Sequence, residues 1–307
     1  MNALNPVCRG RLRSDLKFKY SYDSHIIDSS KDLDFNQRGN LARCTSSGTQ
    51  IYAGSSFGSS NCDSIATGEG PGLDRFGWAS QTMVGKQGKV KFYTPYDSLA
   101  SADQTFTTGT KCGTKVVLPT GAVWGAAVCE KAVHLYFYDD TQWIDRGEIA
   151  FPDATGNDID IDVNHEDYLI ARAGSKVFIY KLGMFPEKKH ELDGDGLVAA
   201  SVNCKGSVFA YESAGAIKFK QLDQSDGTTW SDLADISVDP LSMEMSSDVL
   251  AVGTTGKVQL YLFANGGTSY DEYKAIDGLS VRPDHLLIDG TYFNPYYFVV
   301  FPPPKIY

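Results

Sequence analysis

The chain has 307 residues, 42% of them apolar and 21% charged, which suffices for a packed core and argues against intrinsic disorder. Its 38 acidic and 28 basic residues give a net charge of −10, so nucleic acids and anionic membrane surfaces are poor default partners. There is no apolar run of the roughly 18 residues that a membrane-spanning helix needs, and no secretory signal. We therefore expect a soluble protein without membrane insertion, cytoplasmic or part of an assembled particle.

The six cysteines are widely spaced and form no CxxC pair, which argues against zinc clusters and redox motifs. In so large a domain we expect scattered free thiols rather than a disulfide framework. The cysteines are Cys8, Cys44, Cys62, Cys112, Cys129 and Cys204.

Strand-like runs follow one another along the chain, and no stretch has the sustained periodicity of a helix. Residues 16–23 (LKFKYSYD) alternate like a strand, and residues 48–60 resemble a hairpin. A clearer unit then recurs: an apolar run, a short turn that often holds glycine, and an alternating run, which together predict a β-hairpin. The recurring hairpins span residues 82–93, 122–138, 167–180, 207–220, 248–261 and 285–301.

The hairpins recur at a nearly constant spacing. Val90, Val133, Val177, Ile217 and Val258 occupy equivalent positions at intervals of 40 to 44 residues. A period of this length made only of strands is typical of a β-propeller with four antiparallel strands in each blade. The sequence therefore predicts an all-β fold consisting of a single propeller.

Other short runs complete each blade. Alternating runs before the hairpins predict an inner strand, at residues 115–119, 159–163, 198–202 and 241–245. After the hairpins, a polar turn is followed by an aromatic residue and an outer strand. Trp143 and Trp230 hold equivalent positions before this outer strand, and we predict that they pack between blades.

The N-terminal region decides the number of blades. Counting residues 48–60 as a degenerate blade gives seven blades, the number that we favour, and omitting them gives six. The predicted organisation is an N-terminal extension (1–47) with a ring-closing strand at 16–23, a propeller over 48–301, and a proline-rich tail at 302–307.

The repeats resemble the integrin-type FG-GAP propeller, in a degenerate form that covers roughly residues 48–301. Residues 229–263 (TWSDLADISVDPLSMEMSSDVLAVGTTGKVQLYLF) carry the resemblance best, residues 142–180 come second, and residues 75–93 contain a Phe76-Gly77 pair. The resemblance implies a propeller that binds ligands or partners rather than one that catalyses a reaction.

FG-GAP blades often carry a calcium loop of the form DxDxDGxxD, whose carboxylates suit a hard cation. The weak candidate here has the 1, 3, 5, 9 spacing but has Val163 where the glycine should be. Plain strand alternation explains residues 159–163 equally, with the aspartates on one face, and the equivalent runs at 198–202 and 241–245 lack a carboxylate set. We expect no metal, with Ca²⁺ as the less favoured alternative at Asp158, Asp160, Asp162 and Glu166.

Catalytic signatures are lacking: the sequence has no GxSxG, HExxH, Walker loop or GxGxxG motif. His134 lies in an alternating strand and His165 in a turn, which favours structural roles for both.

We expect a protein that is not an enzyme, has no cofactor, and binds protein partners through the loop faces of the propeller as an interaction or structural subunit. The alternative is a carbohydrate-binding propeller, although its loops differ from blade to blade. A propeller hydrolase or lyase is less favoured.

Overall fold

The computed structural model describes residues 33–36, 40–44, 64–71, 78–86, 88–93, 104–107, 115–118, 123–139, 142–154, 158–264, 267–278, 285–289 and 297–301. Within these ranges the chain forms 24 β-strands and no helix. It divides into two compact units, Met1–Pro152 and Asp153–Tyr307.

The first unit contains one two-stranded and two four-stranded antiparallel sheets among its described residues. Within each sheet, every strand pairs with the next one in sequence. The sheets are β1–β2, β3–β6 and β7–β10. The strands are β1 (Leu33–Asn36), β2 (Asn40–Cys44), β3 (Ser64–Pro71), β4 (Trp78–Lys86), β5 (Lys89–Tyr93), β6 (Gln104–Thr107), β7 (Val116–Val117), β8 (Trp124–Val128), β9 (Ala132–Tyr138) and β10 (Trp143–Ala150).

The second unit has three four-stranded sheets and one two-stranded sheet in the part described. They are β11–β14, β15–β18, β19–β22 and β23–β24, and we call each four-stranded sheet a blade. The strands are β11 (Ile159–Val163), β12 (Tyr168–Ala173), β13 (Lys176–Lys181), β14 (Glu187–Asp193), β15 (Val198–Asn203), β16 (Gly206–Ser213), β17 (Ala216–Leu222), β18 (Trp230–Asp232), β19 (Ser242–Ser246), β20 (Val249–Thr254), β21 (Lys257–Phe263), β22 (Tyr270–Asp277), β23 (His285–Asp289) and β24 (Tyr297–Phe301).

The hairpin of β20 and β21 shows how the sequence produces these blades. Thr254 pairs with Lys257 across a two-residue turn, and Gly256 has a φ of +72°, a conformation that glycine adopts without steric cost. Leu250 and Val258, on either side of this turn, are fully buried. The predicted hairpin at 248–261 is therefore confirmed.

Aromatic side chains pack between successive blades in both units. In the first unit, Trp143 at the start of β10 stacks on Phe92 of β5, with ring centroids 4.2 Å apart. In the second, Tyr270 at the start of β22 stacks on Phe219 of β17 at 5.2 Å. Such aromatic pairs stabilise a protein beyond the contribution of the surface area that they bury. Trp230 likewise contacts the preceding blade through Tyr168, so the packing predicted for both tryptophans is confirmed.

Three of the five outer strands in the described four-stranded sheets share an irregularity. The pairing register shifts between the third and the outer strand at Asp145/Glu148, at Ile179/Tyr180 and at Leu260/Tyr261. Each shift is a β-bulge or a similar irregularity, which bends and twists the edge of a sheet.

Several predictions can be compared with these strands. The inner strands predicted at 115–119, 159–163, 198–202 and 241–245 correspond to β7, β11, β15 and β19. The hairpin at 48–60, the closing strand at 16–23 and the tail at 302–307 lie outside the described residues, so the blade count stays a prediction.

The expected pattern of free thiols is wrong for Cys129, which is disulfide-bonded, while Cys204 is free and exposed.

Candidate functional site

The loop between β13 and β14 presents two adjacent large apolar side chains to solvent. Met184 is 76% exposed and Phe185 is 83% exposed. Large apolar side chains are usually buried, and an exposed pair of neighbours marks a place where a partner can remove them from water. We call these two residues the Met184–Phe185 tip.

The tip stands on an anchored base. Leu182 is buried, and its amide donates a hydrogen bond to the Asp167 carbonyl oxygen at 2.7 Å. The Lys181 ammonium donates to the Glu166 carbonyl oxygen at 2.6 Å and lies 4.5 Å from the centre of the Tyr168 ring. These contacts fix the residues that precede the tip, so its two side chains project from a defined backbone.

The charges beside the tip are balanced. On β14, the Lys188 ammonium lies 2.7 Å from the Glu191 carboxylate, and the Lys189 ammonium lies 2.6 Å from the Glu187 carboxylate. Exposed pairs of this kind contribute little to stability. They do pair each lysine of β14 with a glutamate of the same strand.

Sequence reasoning missed this tip, because an apolar pair in a sequence looks like part of the core. A signal was nevertheless present. Met184 and Phe185 stand between Gly183 and Pro186, in a turn-forming segment that precedes a charged strand.

The four residues considered for calcium do not share one set of contacts. The Asp160 and Asp162 side chains are buried, and each has a carboxylate oxygen that accepts a hydrogen bond from a backbone amide of β15. For Asp160 the donor is Val198, at 3.0 Å, and for Asp162 it is Ala200, at 2.8 Å. The structure thus places these two aspartates between neighbouring inner strands.

The other two members of the set have different surroundings. The main-chain oxygen of Asp158 accepts hydrogen bonds from Arg172 and from the Gly174 amide. The Glu166 carboxylate accepts one from the Ser207 hydroxyl of the next blade. Among the described residues, no three His, Cys, Asp or Glu side chains are grouped so as to hold a metal ion. The expectation of no metal, with calcium as the less favoured alternative, stays a prediction.

His134 occupies a strand position, on β9, as predicted. Its Nδ1 lies 3.5 Å from the Asp145 carboxylate and its Nε2 lies 3.5 Å from the Glu148 carboxylate. The register shift of β10 lies between these two acidic residues. His134 of β9 thus lies between two acidic side chains of the neighbouring strand β10.

None of the described residues forms a helix long and apolar enough to span a bilayer.

Comparisons with known proteins give the fold. No family model matches the sequence, and no curated protein resembles it. Hsv2 of Kluyveromyces marxianus is similar in structure, with a TM-score of 0.50 and 13% identity over 78% of this chain and 70% of that one. A protein from Lactobacillus plantarum also has a TM-score of 0.50, with 12% identity over 71% of each chain. Hsv2 is a β-propeller.

The chain has the β-propeller fold. Structural similarity at sequence identities of 12% and 13% shows the fold and nothing more. The function of this chain therefore has to be argued from its own side chains.

Proposed function

We propose that this propeller is a non-catalytic protein-binding subunit of a larger assembly. The observation that carries the proposal is the Met184–Phe185 tip, where two large apolar side chains stand 76% and 83% exposed on an anchored loop. Aromatic side chains and methionine are enriched at protein interfaces, because they bury a large area when a partner covers them.

The resemblance of the repeats to FG-GAP propellers supports the same function. In that family the blades serve ligand or partner binding. The best matching segment, residues 229–263, contains Trp230 at the start of β18 and the buried hairpin of β20 and β21, where the repeat pattern places them. We propose an FG-GAP type of repeat on this basis.

The experiment is purification of the tagged full-length chain, expressed at its natural level, followed by mass measurement of the native complex. We expect a partner protein in a fixed stoichiometric ratio. A chain that stays monomeric and brings down no stoichiometric partner would overturn the proposal.

A glycan array probed with the same purified chain tests the lectin alternative. We expect no glycan to bind above background, since the loops differ from blade to blade. A sugar that binds with defined stoichiometry would replace the proposed function by carbohydrate binding.

A further inference from the structure

We propose that the Met184–Phe185 tip inserts into an apolar pocket on a protein partner and is the main energetic contact of that interface. The inference rests on the proposed function and names the part of the molecule that performs it. Three observations support it: the shape of the tip, its small size, and the charges around it.

The tip is convex and preorganised. Two adjacent side chains, 76% and 83% exposed, project from a loop whose base is held by the Leu182 amide and by the Lys181 ammonium. A ligand segment that is already ordered loses little conformational entropy on binding. A convex apolar pair of this kind fits a concave apolar site, in the way that interface hot spots fill pockets on the partner.

The small size of the tip argues against a dimer in which two copies of the tip meet. Aromatic side chains bury roughly 150–250 Å² each, whereas a stable interface buries about 1,200–2,000 Å² in total. A dimer in which the two tips meet would bury only part of either tip, far less than this area. A pocket on a different protein surrounds both side chains and adds contacts with the loop base.

The charges beside the tip argue against a lipid surface. Peripheral insertion into anionic bilayers combines apolar side chains with unbalanced lysines and arginines. Here Lys188 and Lys189 are each paired with a glutamate, and the chain carries a net charge of −10. A protein pocket rimmed by charges of both signs complements this pattern better than a negatively charged membrane does.

The neighbouring blade offers a matched control. Its corresponding loop, between β17 and β18, also connects a third strand to an outer strand. Gln224 in that loop is exposed, as Phe185 is. A probe at position 224 therefore reports on a loop of the same type that lacks the apolar pair.

The experiment begins with the photo-crosslinker p-benzoylphenylalanine, placed at position 185 or at position 224 of the full-length chain in its native cells. We expect a discrete protein adduct from position 185 and none of the same mass from position 224. The adduct protein is identified by mass spectrometry and produced in pure form. Equal adducts from both positions would overturn the inference.

Titration calorimetry then measures the affinity of the pure partner for the full-length chain. We expect Phe185→Ser to raise Kd at least about 30-fold, as for a hot-spot side chain. Met184→Ser should raise it by a smaller factor, and Gln224→Ser should leave it within about twofold. The melting temperatures of the variants should match the wild type, because the substituted side chains are exposed.

Other outcomes separate the inference from the function on which it rests. If a stoichiometric partner binds Phe185→Ser as tightly as it binds the wild type, the tip is not the contact, although the protein-binding function stands. Sedimentation with phosphatidylcholine–phosphatidylserine vesicles that is lost in Phe185→Ser would assign the tip to membranes and overturn the inference. A dimer of the pure chain that Phe185→Ser dissociates would overturn it in favour of self-association.

Discussion

The Asp162 carboxylate on β11 accepts a hydrogen bond from the Ala200 amide on β15, at 2.8 Å. Asp160 bonds the Val198 amide in the same way. Because β15 pairs with β16 along only one edge, amides on its other edge need a different acceptor. The two aspartates supply it, so that one inner strand satisfies the backbone of the next.

Replacement of Asp162 by alanine tests this role. The substitution leaves the buried Ala200 amide without its acceptor, which costs about 1–3 kcal/mol of the free energy of unfolding. Asp162→Asn keeps an acceptor oxygen and should lose less. Urea unfolding of the full-length chain measures the difference, with the exposed Asp153→Ala as control. Equal stability of the Asp162→Ala and Asp153→Ala variants would contradict the role.

Calcium is expected to have no effect on the same region. The Asp160 and Asp162 carboxylates already accept amide hydrogen bonds, and Glu166 accepts one from Ser207. Thermal unfolding with added calcium and with EDTA should give the same melting temperature. A rise with calcium that is absent from Asp162→Asn would identify a calcium site.

His190 makes stability depend on pH. Its ring lies edge-on to Trp230, with centroids 4.3 Å apart. Burial lowers the pKa of His190, and nearby Lys220 lowers it further, while Asp232 acts in the opposite direction. The unfolded chain therefore takes up the proton at higher pH than the folded chain does. It follows that the free energy of unfolding decreases as the pH falls below the ordinary histidine value of about 6.5.

Melting temperatures measured between about pH 7.5 and pH 5.5, the interval around that value, check the prediction. The decrease should be smaller in His190→Gln than in the wild type. His165→Gln, at an exposed turn position, should keep the wild-type slope. A His190→Gln variant that also keeps this slope would show that another group dominates.

Two glycines of one blade should respond very differently to alanine. At Gly206 (φ +140°) an added Cβ would lie 2.1 Å from the Leu222 carbonyl oxygen, whereas at Gly215 (φ +72°) it would meet nothing within 4 Å. Gly215→Ala should cost roughly 1 kcal/mol through its backbone conformation alone. Gly206→Ala should cost about 1–3 kcal/mol more, because the backbone must shift. Denaturant unfolding of both variants measures this, and equal losses would be inconsistent with the close approach.

Buried charge in the β20–β21 hairpin should prevent folding. Leu250 and Val258 are fully buried, so Leu250→Asp or Val258→Asp places an unpaired carboxylate in an apolar core at a cost of several kcal/mol. The soluble yield and the circular dichroism spectrum are the measurements. Thr255→Asp, in the exposed turn of the same hairpin, should fold normally. Soluble, folded Leu250→Asp would refute the packing described for this hairpin.

The repeating part of the fold could be predicted from the sequence because it depends on local patterns. The interval from Val177 to Ile217 and the interval from Ile217 to Val258 each correspond to one blade. A turn with glycine between apolar runs is likewise a local signal. Trp143 and Trp230 could be assigned to inter-blade packing since their equivalent positions show that they belong to the repeat.

The contacts that distinguish one blade from another could not be predicted. Alternation in residues 159–163 placed the aspartates on one face of a strand, but which backbone that face meets depends on the neighbouring sheet. The exposure of Met184 and Phe185 depends equally on tertiary structure, since the same pair would be ordinary core residues on a buried strand.

The register shifts at Asp145/Glu148, Ile179/Tyr180 and Leu260/Tyr261 have a consequence for behaviour at high concentration. A regular outer strand exposes a straight row of amides and carbonyls, onto which another molecule can add a strand and begin a fibril. An irregular edge interrupts that row. The outer strands β10, β14 and β22 should therefore resist the addition of a strand from a second molecule in concentrated solution.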